Sequence, residues 1–274
     1  MKTSRRKFIK GFALTSAYLL SEGVKALPLT DLIDSGENVV LRLAVGSDGH
    51  YGQPNTEYDK FFGEFVEHIT RFHEQLPLDA CVVNGDIIHD KPEFLRQSKQ
   101  WLDKLPVPYY VTQGNHDMVS AEYWQQTWNR PVNEVAVVKG QVLLMMTTSN
   151  EKGEYLSPDL DWLKHKLEEH RKNNVLLFLH IGQHKWTPNC IDNSAYAELI
   201  IPYKNLKAVF HGHDHDQDGV KILEETPHIF DSHIGGSWGT PYRGYRIVEV
   251  MKNNQIRTYM MNPLEKVNET VYKI

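Results

Sequence analysis

Five short apolar runs in this chain each end on a carboxylate, an amide or an imidazole, and that repeated ending limits what the chain can fold into. Residues 41–47 run into Asp48, Gly49 and His50, and residues 81–84 into Gly85 and Asp86. Residues 109–113 run into Gly114, Asn115, His116 and Asp117. Residues 175–179 meet His180, and residues 208–211 meet Gly212, His213, Asp214 and His215. Apolar runs of this length, separated by amphipathic stretches, predict an α/β fold. In such folds ligand sites are built at the carboxyl ends of the strands.

The remaining pattern fills in the elements. Strands are expected at 39–45, 80–83, 109–112, 135–138, 142–147, 175–179, 208–210, 229–232, 245–250 and 255–261. A helix is expected over 58–75, where Phe61, Phe62, Phe65, Val66, Ile69 and Phe72 recur at three- and four-residue spacing. Further helices are expected over 92–104, 121–128, 158–172 and 194–200, the one over 158–172 with Ser157 as its N-cap and Pro158 at its first position. These aromatic stripes read as core packing. There is no internal repeat and no low-complexity linker, so residues 27–274 read as one domain.

The strand-end residues are chemically of one kind. Asp, Asn and His supply oxygen and nitrogen ligands suited to zinc, manganese or iron. In Asp-x-His and His-x-His on extended chain the two side chains project to one side, so each pair can converge on one place. The set therefore reads as a two-metal site. Only two cysteines, Cys81 and Cys190, occur. That excludes a Cys₄ zinc or iron–sulfur site and a disulfide-dense scaffold.

The order Asp-x-His, Gly-Asp, Gly-Asn-His-Asp, His, Gly-His-x-His resembles the calcineurin-like metallophosphoesterase family over roughly residues 39–250. The resemblance implies a four-layer α/β/β/α sandwich of two mixed β-sheets flanked by helices. It implies one metal ion on Asp48, His50, Asp86 and His215, and a second on Asp86, Asn115, His180 and His213, with Asp86 bridging. The activity expected is hydrolysis of a phosphoric ester. Two divalent or trivalent ions, manganese or iron by preference and zinc as a further option, acidify a shared water and clamp a phosphoryl oxygen. The resulting hydroxide attacks phosphorus in line with the leaving oxygen. His116, which has no assigned metal, is the expected general acid, with Asp117 orienting it.

Other residues divide between site and scaffold. His184, Trp238 and Arg243 are expected substrate contacts, Arg243 near a phosphate and Trp238 or Tyr242 stacking on a base. His89 reads as supporting rather than ligating, and His211 as a strand end. A phosphodiesterase is preferred, with a phosphomonoesterase of acid-phosphatase or nucleotidase type as the alternative. A catalytically silent metal-binding scaffold is the rival from another class, although every motif ligand is present. A metallo-β-lactamase-like hydrolase fits poorly, because its His-x-His-x-Asp-His run would come early in the chain.

The first 26 residues carry Ser4, Arg5, Arg6, Phe8 and Lys10, then a short apolar run and an exit at Val24, Lys25 and Ala26. This resembles a twin-arginine export signal, and implies the export machinery as a partner and a periplasmic or secreted mature protein. These 26 residues hold six of the 30 basic residues and one of the 35 acidic ones, which leaves 24 against 34 and a net charge of −10. A body so acidic is expected to repel polymeric nucleic acid. The expected partner is a small phosphate ester, drawn in by local bound cations. No later run reaches the roughly 20 apolar residues that a membrane span needs.

Overall fold

The computed structural model describes residues 27–28, 38–253, 255–262 and 265–273. The export motif at residues 1–26 lies outside them. Thirteen strands, β1 (Leu27–Pro28), β2 (Val39–Gly46), β3 (Ala80–Asn84), β4 (Tyr109–Thr112), β5 (Glu134–Val138), β6 (Gln141–Met146), β7 (Val175–Leu179), β8 (Leu206–His211), β9 (Val220–Leu223), β10 (Thr226–Phe230), β11 (Tyr245–Met251), β12 (Gln255–Met261) and β13 (Glu265–Lys273), form two sheets among the described residues. One has the order β1-β13-β12-β11-β2-β3-β4 and the other β5-β6-β7-β8-β10-β9. Within them β2, β3 and β4 run parallel, as do β6, β7, β8 and β10, and the outer strands are antiparallel.

Period-two alternation explains the layers. Along β2, Leu41, Leu43 and Val45 enter the core between the sheets, while Ala44 faces the helices. Along β7, Leu176 and Phe178 enter the same inter-sheet core, and Val175, Leu177 and Leu179 face outward. The strands read as continuous apolar runs because both faces are covered. Helices α1 (Tyr58–Gln75), α2 (Glu93–Leu102) and α3 (Ala121–Trp128) cover the seven-stranded sheet through Phe62, Phe65, Leu95 and Trp124. Helices α4 (Leu160–Glu169) and α5 (Ser194–Ile200) cover the other through Leu163, Leu167 and Tyr196. The result is the α/β/β/α sandwich that the resemblance implied.

Helices α1, α3 and α5 keep the boundaries expected from the sequence. The helix expected over 158–172 is shorter, and its cap is Asp159, whose carboxylate accepts from the Trp162 N–H at 2.9 Å, rather than Ser157. Strands β1, β9 and β13 were not expected. Strand β13 mixes charged, polar and apolar residues along Glu265–Lys273, between β12 and the two-residue β1, so no apolar run marks it. Strand β9 is a four-residue edge strand whose pairing with β10 is supplied by the turn between them.

Candidate metal centre

The loops that follow β2, β3, β4, β7 and β8 meet at one end of the sandwich. Backbone bonds lace them together: Asp48 N–H donates to Gly85 O at 3.1 Å, His50 N–H to Asp86 O at 2.9 Å, and Gly212 N–H to His180 O at 3.0 Å. Two of the motif glycines are steric requirements. A Cβ on Gly212 would lie 1.9 Å from Ser47 Oγ and 2.7 Å from Asp48 Oδ2, and one on Gly114 would lie 2.3 Å from the Asp86 backbone nitrogen. Asp48 (φ 56°), His50 (φ 46°), Asp86 (φ 50°) and His213 (φ 67°) all hold left-handed backbone. Such strain costs of order 1–3 kcal/mol per residue and gathers where geometry serves a site.

The side chains converge in two adjacent trios, Asp48 with His50 and His215, and Asp86 with His180 and His213, while His50 also groups with His89 and His116 in a third. His50 Nε2 lies 2.9 Å from His215 Nε2, and His215 Nε2 lies 3.2 Å from Asp48 Oδ1. His180 Nε2 lies 3.2 Å from Asp86 Oδ2 and 3.8 Å from Asp48 Oδ1, which joins the trios. His50 Nε2 lies 3.7 Å from Asp86 Oδ2. Ligands about 2.0–2.2 Å from a shared cation lie roughly 3–4 Å from one another, so these spacings suit cations held between them.

Two further observations test that fit. Asn115 Oδ1, His180 Nε2 and His213 Nε2 are buried without a hydrogen-bond partner. Buried polar atoms are costly in that state unless something binds them. The other ring nitrogen of two of these histidines is engaged: His180 Nδ1–H donates to Asn84 O at 2.7 Å, and His215 Nδ1–H to Trp238 O at 3.0 Å. That fixes the tautomer and aims each Nε2 lone pair inward. A pair of buried carboxylates facing nitrogen lone pairs fits two metal ions.

A family model described as calcineurin-like phosphoesterase matches residues 41–217, most of the chain, including every residue of both trios. The chain belongs to the calcineurin-like phosphoesterase family. The family is one of dinuclear metal-dependent phosphoesterases. A probable glycerophosphodiester phosphodiesterase of Arcobacter nitrofigilis is 29% identical over 154 residues, 50% of this chain and 56% of that one. A probable cyclic nucleotide phosphodiesterase of Psychrobacter arcticus is 21% identical over 165 residues, 53% of this chain and 59% of that one. The matches span little more than half the length of these curated relatives. Among solved structures, a dimetal phosphatase from Danio rerio superposes with TM-score 0.68 at 14% identity, covering 86% of this chain and 99% of that chain. GAP50, the anchor in the inner membrane complex of Plasmodium, superposes with TM-score 0.59 at 14% identity, covering 85% and 90%. A phosphatase and an anchor share the fold, so the fold alone does not decide the chemistry.

Electrostatics at this phosphoesterase centre follow from burial and charge. Burial would raise the Asp48 carboxyl, but His215 and His180 outweigh it and hold it down at about 2. Burial would likewise raise Asp86, and His180 and His50 hold it well below the usual range. Burial alone would depress His180, yet Asp86 and Asp48 push it up to about 10. Burial dominates at His50 and pulls it down to about 3. The site therefore carries a strong negative potential that binds a proton or a cation.

The structure redraws the surroundings. Asp117 does not orient His116: its carboxylate accepts from the Ile88 N–H and the Gly114 N–H, both at 2.9 Å, and braces the two ligand loops. The partner of His116 is Asp90, whose Oδ1 lies 2.6 Å from His116 Nδ1. The reason is direction, because neighbours in a tight turn point apart. The available signal was Asp90 four residues beyond Asp86 in the adjoining loop. His89 stacks on His116 at 4.8 Å, with its Nδ1 3.1 Å from His50 Nδ1, so it supports the site from one side. His211 ends β8 as expected, and its Nδ1–H donates to Leu179 O.

The three expected substrate contacts separate. Trp238 is at the centre, its indole parallel to the His215 ring at 3.8 Å. The Arg243 guanidinium lies instead over the Phe61 ring at 3.9 Å beside α1. His184 faces Trp186, which packs in turn on His228 and Phe230, away from both trios. Tyr155 was not expected at all. It stands edge-on to His213 with ring centroids 4.9 Å apart, placed by the loop that follows β6.

Proposed function

We propose that the chain is a metal-dependent phosphodiesterase for small esters, with hydrolysis of monoesters as the alternative. The observation that carries it is the joined pair of trios, in which His180 Nε2 lies within 4 Å of carboxylate oxygens from both halves. When bound, two metal ions would supply an acidified water and polarise the phosphoryl oxygens. Asp48, His50, Asp86 and His215 would hold one of them, and Asp86, Asn115, His180 and His213 the other. The donor set of nitrogen and oxygen favours manganese or iron, and zinc also fits it.

The protein's own groups then account for the rest. Asp90 holds the proton on His116 Nδ1, which leaves His116 Nε2 to deliver a proton to the departing ester oxygen. Asn84 O fixes the tautomer of His180, and Trp238 O that of His215. The open side of His116, about a third exposed, admits the leaving group. The diester preference is supported by the printed names of both curated relatives, each matched over half its length. Export by a twin-arginine signal at residues 1–26, to the periplasm or beyond, belongs to the same proposal. Among the described residues no helix is long and apolar enough to cross a membrane.

The test is paired. Metal analysis of the purified chain should find two ions, and turnover should be higher on bis(p-nitrophenyl) phosphate than on p-nitrophenyl phosphate. Turnover on the monoester alone would transfer the assignment to the alternative. Two bound ions with neither ester hydrolysed would favour the silent scaffold. Retention of residues 1–26 in exported protein would contradict the signal reading.

A further inference from the structure

Eight large hydrophobic side chains are exposed among the described residues: Val40, Val137, Tyr155, Leu156, Ile201, Ile222, Trp238 and Val271. Scattered exposed aliphatics need no explanation. The two aromatic ones differ, because each lies against a histidine of the metal centre. Trp238, 50% exposed, covers the His215 ring with one indole face and leaves the other face open. Tyr155, 47% exposed, meets His213 edge-on with an interplanar angle of 88°. One aromatic therefore borders each trio.

Both are held in place. His215 Nδ1–H donates to Trp238 O, Thr240 N–H donates to His215 O at 3.0 Å, and Gln53 Nε2–H donates to Ser237 Oγ at 3.2 Å. The Tyr155 segment pairs with Ser149 in an isolated bridge, and Leu156 N–H donates to Thr148 O at 2.8 Å. Anchored walls bind planar groups at a lower entropic cost than mobile ones.

We propose that Tyr155 and Trp238 are substrate-contact residues, one wall beside each trio, and that the ester they receive carries a planar aryl or nucleobase group stacked on the open face of Trp238. The inference rests on the diester reading, since a diester presents two organic arms to two walls. It deepens that reading by selecting aromatic esters over aliphatic glycerol esters. The walls carry no charge, so binding comes from stacking and the desolvation of flat apolar surface.

The experiment has a hydrolytic arm and a binding arm. In the metal-loaded chain, Trp238→Ala should raise KM for bis(p-nitrophenyl) phosphate about tenfold, the scale of one base–aromatic stack, and act on KM more than on kcat. Trp238→Phe should restore most of the loss, and Tyr155→Ala should resemble Trp238→Ala more than Tyr155→Phe does. The second arm titrates AMP and ribose 5-phosphate calorimetrically, which requires no turnover. AMP should bind the unmodified chain at least fivefold more tightly than ribose 5-phosphate does, and Trp238→Ala should erase that difference. Equal binding of the two in the unmodified chain, or a difference that survives Trp238→Ala, overturns the proposal. Loss of diester turnover with the AMP preference intact would remove the diester reading and leave the Trp238 wall standing.

Discussion

His116 Nδ1 lies 2.6 Å from Asp90 Oδ1, so the imidazole nearest the open side of the centre is steered by a carboxylate from the β3 loop. Asp117, its neighbour in sequence, is spent on two backbone N–H groups instead. These two aspartates should therefore behave differently on substitution. Asp90→Asn should slow turnover about 10²-fold on an alkyl ester with a poor leaving group and much less on a p-nitrophenyl ester, which needs no proton. His116→Ala should follow the same split. Steady-state rates on the two ester types check it, and equal losses on both would refute an acid role.

Asp117→Ala should act on stability. It leaves two buried N–H groups without an acceptor, for a loss of about 2–4 kcal/mol in urea unfolding. Burial raises the Asp117 carboxyl to about 7. A raised folded value means that the folded state binds the proton more tightly, so this group favours folding below its unfolded value near 4. That contribution fades as pH rises toward 7. Asp117→Asn should flatten that part of the stability–pH curve in the metal-free chain.

Metal affinity should depend steeply on pH. Asp86 and Asp48 push His180 up to about 10, so a cation entering its trio must displace that proton. Affinity should rise about tenfold per pH unit between 6 and 8, with close to one proton released from His180 per ion. Calorimetry in buffers of different ionisation enthalpy measures both quantities. An affinity flat over this range would contradict the charge state assigned to His180.

Gly212→Ala should damage the centre without touching a ligand. The added methyl falls 1.9 Å from Ser47 Oγ, 2.7 Å from Asp48 Oδ2 and 2.8 Å from His180 Nδ1, so both ligands must move. Expected outcomes are about 1–3 kcal/mol lost in unfolding and fewer than two metal ions per chain by elemental analysis.

Arg243→Gln and His184→Ala should each leave kcat/KM within about twofold, a surface-substitution outcome in line with their contacts to Phe61 and Trp186. Arg243→Gln should instead cost a few tenths of a kcal/mol by losing its contact with Phe61. A large kinetic effect of either would restore it as a substrate contact.

The α/β class was legible in the chain because both signals that specify it are local, whereas the four-layer sandwich was implied by the family resemblance. Apolar runs of strand length and the three- and four-residue spacing of Phe61, Phe62, Phe65 and Phe72 depend on neighbours in sequence alone. The glycine-flanked motifs were legible for the same reason, since a tight turn beside a ligand leaves a compositional mark. Strand β13, a mixed polar and apolar segment between β12 and the two-residue β1, left none, because it takes its identity from the partners it pairs with. The sequence pattern thus determined the α/β class and which side chains could carry metal chemistry. Which residue meets which was decided only by tertiary structure: Asp90 rather than Asp117 at His116, Tyr155 at His213, and Arg243 over Phe61. Direction in a turn and contact between loops of different strands are set by the packing of two sheets, and no spacing along one chain encodes them.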